Sequence, residues 1–527
     1  MVSMNNVKLL DCTLRDGGYV NDWKWGFEEA KAIINLLVKA RTDIIEVGFL
    51  RNVEKYDPNI SVCNTIEELN KLLPKIYPNN ILFSAMAMCS NYDISKLSPY
   101  SGKGIEMVRI TAHDYDIEDG LAFAKKVQDL GYKVSINPIN IMGYNNEEIS
   151  WIVDMVNKIN PYQFSIVDTF GSMKRRDLDR IVTLVNKRLN KNIRLGLHLH
   201  ENMSLSYCLA QIFADMELDR DITIDGSLMG MGRTPGNLPI ELIADYLNDS
   251  YNTGYDIDYI MDAIQDYIAP IKGHTEWGYS PAYFLSAKFN LHRNYAEHYL
   301  NKGDLTNRDI NHILSRFDRS KTTKFDALYA DMMYEQYQAN IIDDAKDMMA
   351  LGEIFAGKKV LVIAPGHTIK EYKNKINDFI DKNSIITIAV NFVPSDIKCD
   401  YAFFSNQKRY DVYDTTDVKV ITTSNVSGDA NYCVNYNSLT GAFDAGCNSL
   451  IMLLKLLSQL NVDDITMAGA DGYTLTGENY YNKKIRSTSS HDSHFNLSVA
   501  KAIAKLGVKP KYLTPSLYDI GGEINDK

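Results

Sequence analysis

The first 230 residues alternate short apolar segments with amphipathic ones, and this alternation restricts the fold more than any other feature of the sequence. Eight segments are apolar and mostly bounded by Gly, Asp, Asn or Pro, as strands buried on both faces of a parallel sheet are. They span residues 7–14, 44–49, 81–88, 107–113, 134–139, 164–169, 194–200 and 222–228. Eight evenly spaced strands with helical crossovers predict a (β/α)₈ TIM barrel, with an open doubly wound sheet as the alternative.

The remainder of the chain changes character twice. From about residue 240 to 350 the strand pattern disappears, and we expect helices near 256–268, 281–288, 293–300, 307–315 and 325–338. From residue 359 the alternation resumes, which indicates a smaller, Rossmann-like doubly wound α/β domain. We therefore predict a barrel over 1–285, a helical extension or linker over 286–350, and the α/β domain over 351–527.

Bulk composition excludes several classes of protein. The 527 residues are too many for one ordinary core, and the net charge of −11 argues against a general nucleic-acid binder. Because the sequence shows no transmembrane run and no basic-then-apolar segment at its start, we expect neither a membrane span nor a secretory leader. The seven cysteines are scattered without a CxxC pair, so we expect reduced thiols and a cytoplasmic protein.

Two histidines at the end of the seventh predicted strand point to a metal. In the segment GLHLH, His198 and His200 are two residues apart, so both side chains project from the same face of the strand. A lone buried histidine is usually structural, but this pair would enter the mouth of the barrel together. The spacing therefore indicates metal binding.

A carboxylate at the end of the first predicted strand completes the constellation. The segment DCTLRDGG places Asp16 just before a glycine turn. A plain salt bridge between Arg15 and Asp16 is the alternative, but beside two histidines we interpret Asp16 as the anionic ligand. Two imidazoles and one carboxylate leave open positions on an octahedral ion. Zinc prefers four-coordinate sites, so we expect Mn²⁺, with Mg²⁺ or Co²⁺ as alternatives. Ferrous oxygenases share this ligand set, so the triad alone leaves the reaction open.

A glycine-rich loop follows the eighth predicted strand. It has the sequence GMGRTPGN at residues 230–237. These glycines serve either as plain turn residues or to let backbone approach a ligand. Loops in this position of a barrel often bind anions.

Four motifs together resemble a known family. The segments 11–18, 168–173 (DTFGSM), 198–206 and 225–237 resemble the pyruvate-type aldolases of the DRE-TIM metallolyase superfamily. The resemblance is closest to 4-hydroxy-2-oxovalerate aldolase, with hydroxymethylglutaryl-CoA lyase and isopropylmalate synthase more distant. It extends over about the first 290 residues.

The resemblance implies a role for each matching residue. Asp16, His198 and His200 would hold the metal, with Asn237 as a further or outer ligand. Arg15 would steady the enolate oxygen.

Other residues would line the pocket of such an aldolase. His113 matches a histidine that lines the barrel, and Tyr283 matches a tyrosine that closes the pocket, with Tyr279 as the competing alignment. We expect substrate contacts from Asp168, Thr169, Gly232 and Arg233.

One position departs from the family pattern. The aldolases carry a histidine three residues after the metal aspartate, proposed as the base on the substrate hydroxyl, and here Tyr19 stands there. A phenol, with a reference pKa of about 10, is a poor base at neutral pH. Water, Tyr19 and His113 are therefore the candidates for moving this proton.

The C-terminal domain resembles a different group of proteins. Its turns at residues 364–368 (APGHT), 443–449 (FDAGCNS) and 469–473 (GADGY), taken in this order, resemble those of bacterial sialyltransferases of the CMP-sugar type. This resemblance implies a nucleotide or nucleotide sugar near Gly366, Asn391, Gly446 and Asp471. A fusion of this kind suggests surface-polysaccharide or unusual-sugar biosynthesis.

These expectations combine into one leading function. We predict a cytoplasmic, metal-dependent aldolase that makes or cleaves a 4-hydroxy-2-oxo acid through a pyruvate-type enolate. Its partners would be a 2-oxo acid, an aldehyde and further copies of itself. Two alternatives stay open: a Claisen-type acyltransferase that uses acetyl-CoA, and a degenerate barrel that acts as a binding scaffold.

Overall fold

The chain forms two compact units. The structure is a computed structural model and describes residues 6–233, 235–303, 305–440, 448–474, 479–481 and 493–519. The barrel unit comprises Met1–Asn294 with Asp318–Phe325, and the second unit comprises Tyr295–Phe317 with Asp326–Lys527. Within the described ranges, the six cysteines are free thiols. No helix there is long and apolar enough to cross a membrane.

Eight parallel strands close into a barrel in the first unit. The strands of this unit are β1 (Val7–Asp11), β2 (Ile44–Leu50), β3 (Val62–Cys63), β4 (Leu82–Met88), β5 (Met107–Ala112), β6 (Lys133–Pro138), β7 (Gln163–Asp168), β8 (Arg194–Leu199) and β9 (Ile222–Gly226). The sheet closes because β1 pairs with β9 on one side and with β2 on the other, while β3 is a short addition beside β2. The predicted TIM barrel is confirmed.

Helices cover the outside of the barrel. Those assigned to this unit are α1 (Gly18–Asn21), α2 (Phe27–Lys39), α3 (Ile66–Asn70), α4 (Ile117–Asp129), α5 (Asn146–Ile159), α6 (Arg175–Arg188), α7 (Ser206–Asp215), α8 (Ile240–Tyr251), α9 (Ile257–Ala263), α10 (Ala269–Lys272) and α11 (Pro281–Lys288). In α5, buried Ile149, Ile152, Val153 and Val156 recur with helical spacing. The helix begins at Asn145, whose side chain accepts hydrogen bonds from two backbone N–H groups of the first turn.

The second unit contains an open parallel sheet. Its helices are α12 (Asn294–Lys302), α13 (Asn307–Leu314), α14 (Ala327–Ala339), α15 (Ala345–Phe355), α16 (Thr368–Glu371), α17 (Lys373–Lys382), α18 (Gln407–Tyr410), α19 (Tyr436–Leu439), α20 (Ser449–Gln459) and α21 (Ser493–Lys505). Its strands are β10 (Lys359–Ile363), β11 (Ile386–Val390), β12 (Tyr401–Phe404), β13 (Lys419–Thr423), β14 (Tyr432–Val434), β15 (Asp464–Ala468) and β16 (Lys511–Tyr512). The order β14-β13-β12-β11-β10-β15-β16 reverses direction at β10, as in a doubly wound, Rossmann-like sheet.

The boundary between the units differs from the predicted one. The predicted extension or linker over 286–350 contains α12, α13 and α14, which cluster mostly with the second unit. The helix α15 follows, and its Leu351 and Phe355 are buried in that unit's core. These two apolar side chains lie within the predicted range 351–527, so the helix only begins a few residues before the predicted boundary.

A single buried arginine holds together the connection between α6 and β8. The Arg220 guanidinium donates to the carbonyl oxygens of Asn186 (3.0 Å) and Leu189 (2.8 Å) at the end of α6. It also donates to the carbonyls of Asn190 (2.8 Å) and Ile193 (2.9 Å) in the connecting loop. One planar side chain thus satisfies the carbonyls that a helix end leaves without partners.

We predict that Arg220→Ala lowers the free energy of unfolding of the barrel unit by about 2–4 kcal/mol, because partly buried carbonyls lose their donors. Arg220→Lys should fall in between, since an ammonium cannot reproduce the planar fork. All four tryptophans belong to the barrel unit, so tryptophan fluorescence during urea denaturation follows that unit alone.

The matched control for this measurement is Arg176→Ala, which removes an exposed arginine from α6. Its urea midpoint should equal that of the wild type. An unchanged midpoint in Arg220→Ala would show that the carbonyls are satisfied without the guanidinium.

Candidate metal centre

A widened helical turn follows β1 and leads the chain into the barrel mouth. Residues Thr13–Gly17 form a π-helical turn in which all five are buried. The Trp23 indole N–H donates to the carbonyl of Arg15 at 2.7 Å and holds the turn from outside. A Cβ at Gly18 would overlap the Trp23 ring, so this glycine is required for the close approach. Single π-turns are frequent at functional sites, and this one carries two charged side chains inward.

Three predicted ligands converge at this mouth. The Oδ2 atom of Asp16 lies 3.2 Å from Nε2 of His198 and 3.8 Å from Nε2 of His200. Within the described part of the chain this oxygen is buried and accepts no well-aligned hydrogen bond. Ligand atoms of an octahedral ion with bonds of about 2.1 Å lie about 3 Å apart, so the arrangement is close to one that holds a cation.

The other nitrogen of each imidazole is held in place. Nδ1 of His198 lies 3.1 Å from Oδ2 of Asp225, and Nδ1 of His200 lies 2.9 Å from the carbonyl oxygen of Asp168. Partners of this kind fix the tautomer and ring orientation of metal-binding histidines. Burial, assisted by His198, lowers the pKa of His200 to about 3, which keeps this imidazole in its neutral, ligating form.

Six buried side chains form a closed circuit of contacts around this centre, which we call the charge ring. Each of them is at most 5% exposed. The ring runs from Asp16 through Arg15, Glu46, Arg109, Asp225 and His198 back to Asp16.

The contacts within the charge ring are direct. Arg15 places Nη1 3.1 Å from Oδ1 of Asp16 and Nε 2.7 Å from Oε2 of Glu46. Arg109 donates from Nη1 to the same Glu46 oxygen at 3.0 Å and from Nη2 to Asp225. One carboxylate therefore joins the two guanidinium groups, and the second guanidinium reaches the acid that orients His198.

The charge balance of the ring favours a bound cation. Three carboxylates face two guanidinium groups, which leaves one negative charge when His198 is neutral. Burial alone would lower the pKa of His198, but Asp16 and Asp225 raise it above its ordinary value. An uncompensated buried charge is costly, so a proton or a metal ion must supply the missing positive charge.

Asn237 lies where the resemblance expects a further ligand. It pairs with His200 in an isolated antiparallel bridge, and its Nδ2 donates to the carbonyl of Met231 at 3.3 Å. Its Oδ1 is buried and has no hydrogen-bond partner among the residues that the structure describes. This second unsatisfied acceptor fits a metal or a metal-bound water.

Cys12 also lies at the centre, although the sequence analysis did not single it out. Its Sγ, a carboxylate oxygen of Asp16 and a nitrogen of His198 all lie within 4.8 Å of one another. The thiol donates to the carbonyl of Gly226 at 3.2 Å, and burial raises its pKa well above the ordinary value. We interpret Cys12 as a neutral thiol that lines the site.

No sequence motif marked a role for Glu46, Arg109 or Asp225. Each is a lone charged residue within a strand whose other residues are all buried. Such a residue is almost never buried without a partner. A lone charged residue within an apolar run is visible in the sequence, but the sequence does not show which charged residues of different strands pair.

Tyr19 and His113 lie near Arg233 at the barrel mouth. The Tyr19 hydroxyl accepts a hydrogen bond from Nη2 of Arg51 at 3.2 Å, and its ring centre is 5.7 Å from the Arg233 guanidinium carbon. His113 follows β5, with Nδ1 3.7 Å from Oδ2 of Asp116. Burial lowers the pKa of His113 despite this carboxylate.

The remaining residues of the barrel site have varied surroundings. The Asp168 carboxylate accepts from the backbone N–H groups of Ser172 (2.9 Å) and Met173 (3.1 Å), so it shapes its own loop. A Cβ at Gly232 would overlap the side chain of Asn237, which explains the glycine there. Thr169 and Arg233 line one cavity together with His200.

The two tyrosines that align with the pocket-closing position differ in their burial. Tyr283 is half-buried on α11, and its carbonyl oxygen is 3.4 Å from Nδ2 of Asn202. Tyr279 is 58% exposed. The environment of Tyr283 is the more suitable for a residue that closes a pocket.

In the second unit, three of the four expected nucleotide-site residues follow strand ends. Gly366 and Asp471 are adjacent at the point where the strand order reverses, since a Cβ on the glycine would overlap the carboxylate. The Asp471 side chain accepts from the backbone N–H of Thr368 at 2.7 Å. Asn391 follows β11 and accepts from the backbone N–H of Ser405 at 3.0 Å. Gly446 lies outside the described residues.

Comparison with known proteins agrees with this geometry. The HMGL-like family matches residues 6–266. An oxaloacetate decarboxylase of Mycobacterium tuberculosis (strain ATCC 25618 / H37Rv) is 22% identical over 202 residues, which are 38% of this chain and 58% of that relative. The match thus spans little more than half of the relative.

Two solved structures are also similar. The N-terminal domain of a putative aldolase from Bacteroides vulgatus has a TM-score of 0.48 and 24% identity, over 56% of this chain and 96% of that one. The HMG-CoA lyase of Bacillus subtilis has a TM-score of 0.41 and 15% identity, over 51% and 93%. The family match shows that residues 6–266 form an HMGL-like domain, which bears out the resemblance of this part of the chain to the DRE-TIM metallolyase superfamily.

Proposed function

We propose that the barrel unit is a divalent-metal-dependent aldolase that makes or cleaves a 4-hydroxy-2-oxo acid through a pyruvate-type enolate. The observation that carries this proposal is the convergence of Asp16, His198 and His200 on one point inside a closed barrel. The HMGL-like family consists of metal-dependent lyases and related enzymes, which supports the same reaction class. Mn²⁺ is our first choice of metal, with Mg²⁺ or Co²⁺ as alternatives.

The residues present suit the chemistry of a 2-oxo acid. A divalent cation held by these three side chains would supply Lewis-acid polarisation of the substrate ketone. The fixed positive charge of Arg15 lies beside Asp16, where it would stabilise the negative charge that develops on the enolate oxygen. Glu46 and Asp16 hold two nitrogens of that guanidinium, so its orientation is set before substrate arrives.

The proton on the substrate hydroxyl needs a separate group. In aldol cleavage the bond between C3 and C4 breaks, its electron pair passes into the enolate, and the C4 hydroxyl loses its proton. The Tyr19 hydroxyl is held at the mouth by Arg51, and we propose that Tyr19, His113 or a water between them receives this proton. The enolate then takes a proton at C3 to give pyruvate.

We predict that metal removal abolishes the release of pyruvate from 4-hydroxy-2-oxo acids. The full chain would be treated with EDTA and assayed before and after addition of Mn²⁺, Mg²⁺ or Co²⁺. Asp16→Asn should show no turnover with any of these ions, because the carboxylate ligand is gone. Full activity in EDTA, or in this variant, would refute the metal mechanism.

Asp22→Asn is the matched control, since it makes the same chemical change at an exposed aspartate six residues away. It should keep wild-type turnover and metal affinity. Direct titration of Mn²⁺ by calorimetry gives a second readout that does not depend on knowing the substrate.

The same assay separates the competing reactions. Oxaloacetate belongs in the substrate panel because the curated relative is named as its decarboxylase. Release of CO₂ from oxaloacetate without cleavage of any 4-hydroxy-2-oxo acid would contradict the aldolase proposal and indicate a decarboxylase instead. Release of CoA thiol from acetyl-CoA would favour the acyltransferase alternative, and absence of bound metal would favour the scaffold.

We predict that Arg15→Lys lowers kcat by at least about 100-fold, because an ammonium cannot keep both carboxylate contacts and still face the enolate oxygen. The measurement is steady-state kinetics with the substrate identified above. Near-normal kcat in this variant would remove Arg15 from the mechanism. Arg176→Ala again serves as the control.

For the second unit we propose a nucleotide or nucleotide-sugar site. The supporting observation is that Gly366 and Asp471 lie together at the strand-order reversal, the usual ligand position in doubly wound sheets.

We predict that CMP, CDP or UDP raises the melting temperature of the full chain. Asp471→Asn should reduce that shift, and no stabilisation by any of the three would contradict the proposal.

A further inference from the structure

A tight turn after β5 brings a histidine and an aspartate together at the mouth of the barrel. His113 directly follows this strand, at the carboxyl end of the barrel where the metal centre also lies. The His113 backbone N–H donates to Oδ1 of Asp116 at 2.5 Å, and the Asp116 N–H donates to the His113 carbonyl at 3.2 Å. These two hydrogen bonds fix the Asp116 carboxylate beside the imidazole.

The two side chains face each other through atoms of complementary chemistry. Nδ1 of His113 lies 3.7 Å from Oδ2 of Asp116. Both atoms are buried, and neither has a hydrogen-bond partner among the residues that the structure describes. Hydrogen bonds between catalytic groups are often long without substrate and shorten when substrate binds. A side-chain movement of about 1 Å or less would bring this pair into the ordinary hydrogen-bonding range.

The rest of the imidazole is accessible and is held in one plane. The His113 side chain is 23% exposed although its Nδ1 is buried, so the exposure lies on its other atoms. The Tyr115 ring stacks on the imidazole, with ring centroids 4.7 Å apart and an angle of 10° between the planes. When a carboxylate accepts the hydrogen of Nδ1, the lone pair of the neutral ring is on Nε2. This tautomer takes a proton from a substrate at Nε2.

Burial and the neighbouring charges set the protonation of His113. Burial lowers its pKa, Asp116 and Asp114 act against burial, and Arg233 acts with it. The second imidazole nearby is that of His292, whose pKa burial lowers to about 3 with the help of the neighbouring arginines and His113. Because the pKa of His113 lies below its ordinary value, the ring is neutral and able to accept a proton at neutral pH.

We propose that Asp116 is a positioning residue that holds the His113 imidazole through Nδ1 and makes Nε2 of His113 the acceptor of the proton from the substrate's C4 hydroxyl. This proposal rests on the proposed function and selects one of the three candidates for its proton step. As the bond between C3 and C4 breaks, its electron pair passes into the enolate, the C4 hydroxyl becomes the aldehyde carbonyl, and the hydroxyl proton moves to Nε2. The Asp116 carboxylate stabilises the resulting imidazolium.

The kinetics of aldol cleavage test this role first. Asp116→Asn keeps an oxygen for the His113 backbone N–H but replaces the acceptor that faces Nδ1 with an amide donor. It should lower kcat at least about 10-fold and change KM less than about twofold, whereas His113→Ala should lower kcat about 100-fold or more. In the double variant, Asp116→Asn should cause no further loss, because Asp116 acts only through His113. Additive losses would overturn the proposal.

The matched control is Asp114→Asn, which removes a second carboxylate that acts on the same imidazole. The Asp114 side chain has other partners: its Oδ2 accepts from the Thr323 hydroxyl at 3.0 Å, and its Oδ1 accepts from the Tyr115 backbone N–H at 3.0 Å. This variant should keep kcat within about twofold of the wild type. An equal loss in Asp114→Asn and Asp116→Asn would mean that total charge matters and the contact with Nδ1 does not, which contradicts a positioning role.

The pH profile separates His113 from Tyr19 as the base. Wild-type kcat/KM should be level near about pH 7 and fall on the acid side, where His113 becomes protonated. In Asp116→Asn the acid limb should move to lower pH, because the carboxylate that raises the His113 pKa is gone. A phenol, with a reference pKa of about 10, would instead give an activity that keeps rising toward that pH. Such a rise would assign the proton to Tyr19 and refute the role of His113.

Measurements on the metal-loaded full chain exclude indirect causes. Mn²⁺ titrated calorimetrically into Asp116→Asn should bind within about twofold of the wild-type affinity, and tryptophan fluorescence should show the barrel folded. A clearly weaker Mn²⁺ affinity would mean that the turn supports the metal centre and not the base. Asp116→Glu, which keeps a carboxylate, should retain more activity than Asp116→Asn, and the reverse order would count against the proposal.

The two levels of proposal fail in different ways. If the wild type cleaves no 4-hydroxy-2-oxo acid, the proposed function fails and the role of Asp116 fails with it. If the wild type cleaves one of these acids and Asp116→Asn does so equally fast, the proposed function stands and only the role of Asp116 is overturned.

Discussion

The barrel site depends on the burial of alternating charges in one closed ring. Arg15, Glu46, Arg109 and Asp225 lie on or just after different strands, yet each meets a partner of opposite sign. Removing one member would break two buried contacts and take one of two partners from each neighbour, and breaking a buried pair costs about 3–5 kcal/mol. The ring therefore ties β1, β2, β5, β8 and β9 together at the end of the barrel where the chemistry is expected.

The same ring holds the proposed metal ligands in position without any bound ion. Asp16 is held on one side by Arg15, and His198 is oriented on the other by Asp225. Arg15 and the histidines keep the pKa of Asp16 far below its ordinary value in spite of its burial, so it remains an anion. A site whose atoms are already in place loses little further conformational freedom on binding. This preorganisation connects the packing of the barrel to its proposed reaction.

Much of the fold and part of the site were predictable from the chain alone. Eight apolar runs gave the barrel strands, because strands buried on both faces carry a strong local signal. The spacing of His198 at the end of β8 and His200 directly after it was sufficient to place both side chains on one face. Strands as short as β14 and β16, of three and two residues, carry no periodicity that a sequence pattern could reveal. The first six residues of helix α15, residues 345–350, fell within the predicted linker.

What the sequence determined by itself was local: the alternation of strand and helix, the pair of histidines on one strand, and the acid before a glycine turn. Tertiary structure decided which distant residues meet. Glu46 and Arg109 are 63 residues apart, and Arg109 and Asp225 are 116 apart. Arg293 joins Thr169 and His200 around one cavity from beyond the last barrel strand. No local pattern encodes such pairs, because they are brought together only when the sheet closes and packing selects one register for every strand.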